Sequence, residues 1–320
     1  MASRIDVHQH VIPPFYCDIM NDRNLDSGGW PIPPWDKESA IEMMNEQNIA
    51  TGIVSVSAPG VHLGDDAEAR KLVRQVNEYG AQLVKEHPSR FGHFASIPLP
   101  DVEGSVAEAI YALDVLSGDG VVLMSNAQGR YLGDPNFEPL WKVLDSRSAV
   151  VFIHPTESKL PKIQGIPAPI VDFPFDTTRT AFHMVLNGVM RKYTRMKVIL
   201  SHAGGFLPYA AHRLAMSTLL LDPSRTVDDI LSDMKRFYFD TAISASPTAL
   251  PSLLAFAKPG HVLYGSDWPF VPTAPGAYFN NNLDTSGEWV NSHTLESVNI
   301  SNAKVLFPRL ADYMENKSKL

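Results

Sequence analysis

Eleven histidines are spread over 320 residues, and the ones that matter stand where short apolar runs end. Asp6-Val7-His8-Gln9-His10 closes the first such run, Ile153-His154-Pro155 another, and Leu200-Ser201-His202-Ala203-Gly204-Gly205 a third. Tyr264-Gly265-Ser266-Asp267-Trp268-Pro269 adds a carboxylate at the end of a fourth. Residues two apart on a strand share a face, so His8 and His10 can chelate one ion together. Neutral imidazoles with one carboxylate suit zinc, manganese or iron, and they leave a position open for water or substrate. Each motif alone is ordinary. Alternate strand histidines are commonly polar surface, His154 before a proline is commonly a satisfied core residue, and Asp267 would serve as a turn cap. Their shared placement at strand ends carries the metal-site reading. Most of the other histidines read as surface or helix positions; His62 and His93, each near a barrel strand, are the exceptions.

The elements that must position these groups alternate along the chain. The pattern predicts strands over 4–8, 52–57, 92–98, 120–124, 150–154, 197–202, 236–241 and 261–266. Three-to-four-residue apolar spacing predicts helices over 65–87, 102–116, 137–146, 177–193, 206–221, 227–235 and 248–258. Val150-Val151-Phe152-Ile153 is a continuous apolar run, as expected of a parallel strand covered on both faces. Eight strands, each followed by a helix, predict one (β/α)₈ TIM barrel over residues 1–320, with catalytic side chains at the C-terminal strand ends. The competing doubly wound sheet lacks a Gly-x-Gly-x-x-Gly turn after an early strand. Two Pro-rich segments, 21–35 and 157–175, follow strands and are expected to be unstructured insertions walling the active-site face.

Composition narrows the partners. A net charge of -8 and the absence of a basic run argue against nucleic acid and favour a small substrate. No apolar stretch reaches membrane-span length and the N-terminus has no signal pattern, so a soluble cytoplasmic protein is expected. One cysteine, Cys17, rules out a thiolate metal cluster.

The motif order His-x-His, His-Pro, Ser-His-Ala-Gly-Gly and Gly-Ser-Asp-Trp-Pro-Phe resembles the amidohydrolase superfamily. More narrowly it is similar to the branch of 2-amino-3-carboxymuconate-6-semialdehyde decarboxylase, isoorotate decarboxylase and the salicylate-type decarboxylases. The likeness runs from Ile5 to about Phe307 and includes Phe173-Pro-Phe-Asp-Thr-Thr178, Tyr238-Phe-Asp-Thr-Ala242 and Asn302-Ala303. Whole-chain similarity points to the fungal 6-methylsalicylate decarboxylases. The resemblance implies one divalent metal ion, zinc favoured over manganese, on His8, His10, His154 and Asp267. It implies that Asp267 also carries a proton and that His202 is an acid/base beside the metal. Arg213 is implied to meet the substrate carboxylate, in some members across a homodimer interface, and Phe270 to pack on the substrate. Phe173 and Trp30 would complete the wall around a flat aromatic carboxylate.

Departures sharpen the reading. Ala40 stands where the muconate-semialdehyde enzyme has a second carboxylate-binding arginine, which argues against a dicarboxylate. His8 replaces the Glu of some γ-resorcylate relatives. Val121-Val122-Leu123-Met124-Ser125-Asn126 offers no lysine to bridge two metals, so a mononuclear site is expected. The alternatives are a metal-dependent hydrolase or lactonase on the same barrel, and a catalytically silent binding barrel.

Overall fold

Buried β-branched and aromatic runs are extended, and an extended chain satisfies its backbone groups away from water by pairing with neighbouring strands. The computed structural model describes residues 3–287 and 290–311. Its eight parallel barrel strands are β1 (Arg4–His10), β2 (Ile49–Ser55), β3 (Phe91–Ser96), β4 (Gly120–Met124), β5 (Val150–His154), β6 (Lys197–Leu200), β7 (Tyr238–Asp240) and β8 (Val262–Leu263). They neighbour one another in chain order. Closure comes from β1 meeting the chain after β8: Val7 N donates to Tyr264 O at 3.0 Å and His10 N to Trp268 O at 2.8 Å. The expected TIM barrel is therefore the observed architecture.

The helices are α1 (Pro14–Asp22), α2 (Lys37–Glu46), α3 (Asp66–Glu86), α4 (Val102–Asp114), α5 (Glu138–Ser146), α6 (Ala168–Leu186), α7 (Val189–Lys192), α8 (Leu207–Thr218), α9 (Val227–Met234), α10 (Ala249–Phe256) and α11 (Thr273–Asp284), followed by shorter turns to Leu306. Local capping chemistry fixes several starts. Asp36, Asp65 and Asp101 each accept a backbone N–H of the first turn, and Thr226 with Asp229 forms a capping box. Helices α1, α2 and α11 were not among the expected elements. The segment 157–175 is also a correction, since α6 already begins at Ala168. Proline reads as loop in a sequence, yet Pro167 at the cap and Pro169 in the first turn are compatible with a helix start. The expected single helix over 177–193 breaks instead at Gly188, where φ is 75°.

Phe152 and His154 share a face of β5, so the apolar interior ends where the chemistry begins. The Phe152 ring lies 4.9 Å from the His8 ring, and Phe94, Val122 and Ile53 pack in the same buried cluster. The site thus rests on a floor of incompressible side chains.

Candidate metal centre

The ends of β1 and β5 and the loop after β8 converge on one point. The ligand atoms of His8, His10, His154 and Asp267 all lie within 4.8 Å of one another, and all four residues are buried. His8 Nε2 is 3.2 Å from His10 Nε2, as the shared strand face requires. The outward nitrogens of the three rings are occupied. His8 Nδ1 meets Asp240 Oδ2 at 2.8 Å, His10 Nδ1 meets the Ser55 carbonyl at 3.2 Å, and His154 Nδ1 meets the Pro155 carbonyl at 2.8 Å. A ring donating from Nδ1 has a lone pair on Nε2, so three lone pairs and a carboxylate face one another. Such a set repels itself without a cation between its members. Burial opposes charge on His8, but the carboxylates of Asp240 and Asp267 outweigh it and, with no ion between the ligands, raise the ring to about 10. Burial lowers His10 and, helped by the neighbouring rings, holds His154 well below the usual imidazole range. The donor set fits one divalent metal ion.

Two carboxylates that support this cluster were missed as functional residues. Asp240, at the end of β7, bonds His8 with one oxygen; its other oxygen accepts from His202 N at 2.8 Å and Ala242 N at 3.0 Å. It therefore orients a metal ligand and the loop carrying His202 at once. Asp6 accepts from His8 N, Gln9 Nε2, Ser266 N and Ser266 Oγ, tying β1 to the loop before Asp267. The strand-end rule that found His154 would have found Asp240, because it too ends a barrel strand. Nothing local marks Asp6 apart from its parity with His8.

His202 and Asp267 differ from His8, His10 and His154 in backbone as well as chemistry. Both have left-handed φ, 52° and 62°, as does Ala203 at 56°. Side-chain-bearing residues adopt that region at a cost that surrounding structure must hold in place. Gly205 shows the constraint: a Cβ there would lie 2.0 Å from the Pro174 carbonyl of α6. The loop can turn His202 inward only with glycine at that contact. His202 Nε2 then lies 3.2 Å from Asp267 Oδ2, while Asp267 Oδ1 is 3.1 Å from His8 Nε2 and 3.0 Å from His10 Nε2. Burial raises the Asp267 carboxyl, but the attraction of the His8, His10 and His202 rings around it overcomes that and holds the group well below the usual carboxylate range.

Above these groups opens a cavity of about 620 Å³. His154, His202 and Asp267 lie at its floor, and Phe270, Phe173 and Trp30 are among its lining residues. The Phe270 ring is 5.3 Å from His10 and the Phe173 ring 6.3 Å from His154. Arg213 does not line this cavity; it is exposed on α8. His62 bonds Asp66 and Gln128, and His93 is buried against Gly80 of α3, so neither joins the cluster. The wall carried by α6 is fastened by Asp176. That buried carboxylate accepts from Ser125 Oγ, from Asn126 Nδ2 at 2.8 Å and from Tyr131 Oη at 2.7 Å. Ser125 in turn donates its N–H to the His154 carbonyl and accepts from Thr156 N. The end of β4, where a bridging lysine would stand in a two-metal site, is committed to this structural role.

The chain is similar to known proteins. Residues 5–298 match the amidohydrolase family model. The 6-methylsalicylic acid decarboxylase acuB of Aspergillus aculeatus is 40% identical over 319 residues, covering 96% of this chain and 96% of that protein. The 6-methylsalicylic acid decarboxylase of Penicillium expansum is 38% identical over 328 residues, covering 99% and 100%. A solved structure of an amidohydrolase II, 32% identical, superposes with a TM-score of 0.89 and covers 96% of this chain and all of the other.

Proposed function

The chain belongs to the amidohydrolase family, and on that footing we propose that it removes the carboxyl group of an ortho-hydroxybenzoate without oxidation, converting 6-methylsalicylate to 3-methylphenol and carbon dioxide. The activity named for two relatives that match nearly the whole chain supports this reading. The observation that carries it is the division of labour within Asp267. One oxygen faces His8 and His10, and the other faces His202. A single carboxylate can thus hold an ion and exchange a proton.

A divalent ion, zinc favoured over manganese, would sit on His8, His10, His154 and Asp267 and supply the positive charge that fixes a carboxylate and its ortho hydroxyl and stabilises phenolate character. The rest falls to the protein. Direct loss of carbon dioxide from an aromatic ring leaves a high-energy carbanion, so the ring carbon must gain a proton before or as the carbon–carbon bond breaks. The bonding pair then returns to the ring as carbon dioxide departs. Asp267 Oδ2 lies 3.2 Å from His202 Nε2, so a proton can pass between the two groups, and Asp267 hands it to the ring carbon. Phe173 and Phe270 hold the ring plane, Trp30 stands at the mouth, and the surrounding apolar wall excludes water.

Arg213 fits this reading through a second copy of the chain. It shares α8 with Tyr209, a mouth residue that is 90% exposed, and Met216, Leu220 and Leu221 leave further apolar surface bare beside it. A cytoplasmic homodimer that buries this surface would bring Arg213 of one copy toward the substrate of the other. No described helix is long and apolar enough to cross a membrane.

The test is to incubate the metal-loaded protein with 6-methylsalicylate, salicylate, γ-resorcylate and isoorotate and follow carbon dioxide. Release from 6-methylsalicylate is the expected result. No release from any of the four, alongside turnover of a lactone, would establish the hydrolase alternative instead.

A further inference from the structure

The chemical end of the cavity is small, and the cavity is not. Its volume of about 620 Å³ lies within the ~300–1,000 Å³ that holds drug-sized ligands, well above the need of one substituted ring. Charge is confined to the floor. Among the described residues, no Lys, Arg or Glu and no Asp other than Asp267 lines it. Beyond Phe173 and Phe270 the uncharged wall includes Ile170 of α6, Phe206, Ile243 and, on α10, Leu253, with Ser244 and Ser252 also lining it. Ile170, Phe206 and Ile243 are 55%, 44% and 43% exposed. A ring whose carboxylate and hydroxyl face the ligand cluster leaves that apolar stretch in water, where contiguous apolar surface marks a binding site.

We propose that the site takes 2-hydroxybenzoates whose 6-substituent is an unbranched alkyl chain longer than methyl, with the chain lying along the Ile170–Phe206–Ile243 wall. The proposal rests on the decarboxylase reading and extends its substrate class. The two polar groups of such an acid must face the only ionised part of the cavity, so the 6-chain leaves the ring's flank beside the carboxylate and runs up an uncharged, mainly apolar side wall. Each methylene removed from water against such a wall adds about 0.8 kcal/mol, or roughly fourfold in affinity when fully covered. The chain gains this along its length, while the reacting groups remain where a methyl-substituted acid puts them. Extra affinity that is not specific to the transition state lowers KM and leaves kcat near its value for the shorter acid.

The experiment compares 6-methyl-, 6-propyl- and 6-pentyl-2-hydroxybenzoate as substrates of the metal-loaded enzyme. In parallel, calorimetry measures binding of 3-methyl-, 3-propyl- and 3-pentylphenol, which report on the wall without turnover. The pentyl phenol is expected to bind about tenfold or more tightly than the methyl phenol, and kcat/KM for the pentyl acid to equal or exceed that for the methyl acid. Ile170→Asp should pull both pentyl-to-methyl ratios toward one. Weaker binding of the pentyl phenol, a kcat/KM ratio below one, or ratios unmoved by I170D would each overturn the proposal. A second copy of the chain filling the same wall produces the first of these results. If no acid releases carbon dioxide while the pentyl phenol still binds more tightly, the decarboxylase reading fails and the wall assignment stands.

Discussion

His202 Nε2 lies 3.2 Å from Asp267 Oδ2, and both residues reach that contact from left-handed backbone in loops on adjoining sides of β7. The contact joins a group outside the ligand cluster to one inside it. A proton can pass along it without displacing any of the four candidate ligands.

His202→Ala should therefore lower kcat/KM by roughly 100-fold or more, the usual scale for a lost acid/base group. Metal content, read by elemental analysis, should stay near one ion per chain because the four ligand side chains are untouched. An apo variant would place His202 among the ligands and sink this assignment.

Asp240→Asn tests the support beneath His8. The amide cannot accept at both of the carboxylate's positions, so it loses either the 2.8 Å bond to His8 Nδ1 or the backbone bonds from His202 and Ala242. Metal affinity should fall by roughly 10- to 100-fold, measured by competition with a chromogenic chelator. Unchanged affinity would mean that the ring is held by packing alone.

Asp176→Ala leaves the buried donors of Ser125, Asn126 and Tyr131 without their common acceptor. A loss of about 2 kcal/mol in unfolding free energy is expected from stranded buried donors. The freed α6 wall should raise KM more than it lowers kcat, because Phe173 lies one helical turn from position 176 while Asp267 and His202 are on other loops. A kcat loss with KM unchanged would assign Asp176 to the chemistry.

His93 sets a pH dependence remote from the metal centre. Its ring is fully buried on β3 and neither nitrogen has a hydrogen-bond partner, so burial lowers it to about 4. The unfolded chain binds that proton near 6.5 and the folded one only near 4, so the unfolded state gains stability as pH falls between those values. His93→Leu keeps an apolar filling against Gly80 and removes the titration. Denaturant unfolding at pH 4.5 and 7.5 should show the wild type losing about 2 kcal/mol more than the variant across that interval. Equal losses would mean that the ring is solvated or paired in solution.

The sequence by itself determined the barrel and gathered the four candidate ligands, and the reason is locality. Strand ends are local features, and the closing rule of a parallel barrel puts every strand's C-terminal end at one mouth. His8, His10, His154 and Asp267, distributed over nearly the whole chain, could therefore be brought together on paper before any coordinates existed. Phe173, Phe270 and Trp30 followed because they sit beside those ends. Only the tertiary structure decided what depends on which distant groups touch. It joined Asp240 to His8 across 232 positions, Asp176 to the end of β4 across 51, and it turned the Pro-rich segment from 168 onward into a helix. Those pairings follow from side-chain reach and packing between elements, which no spacing along the chain encodes. They convert four plausible ligands into a held site, with one carboxylate oxygen facing the ion's place and the other facing His202.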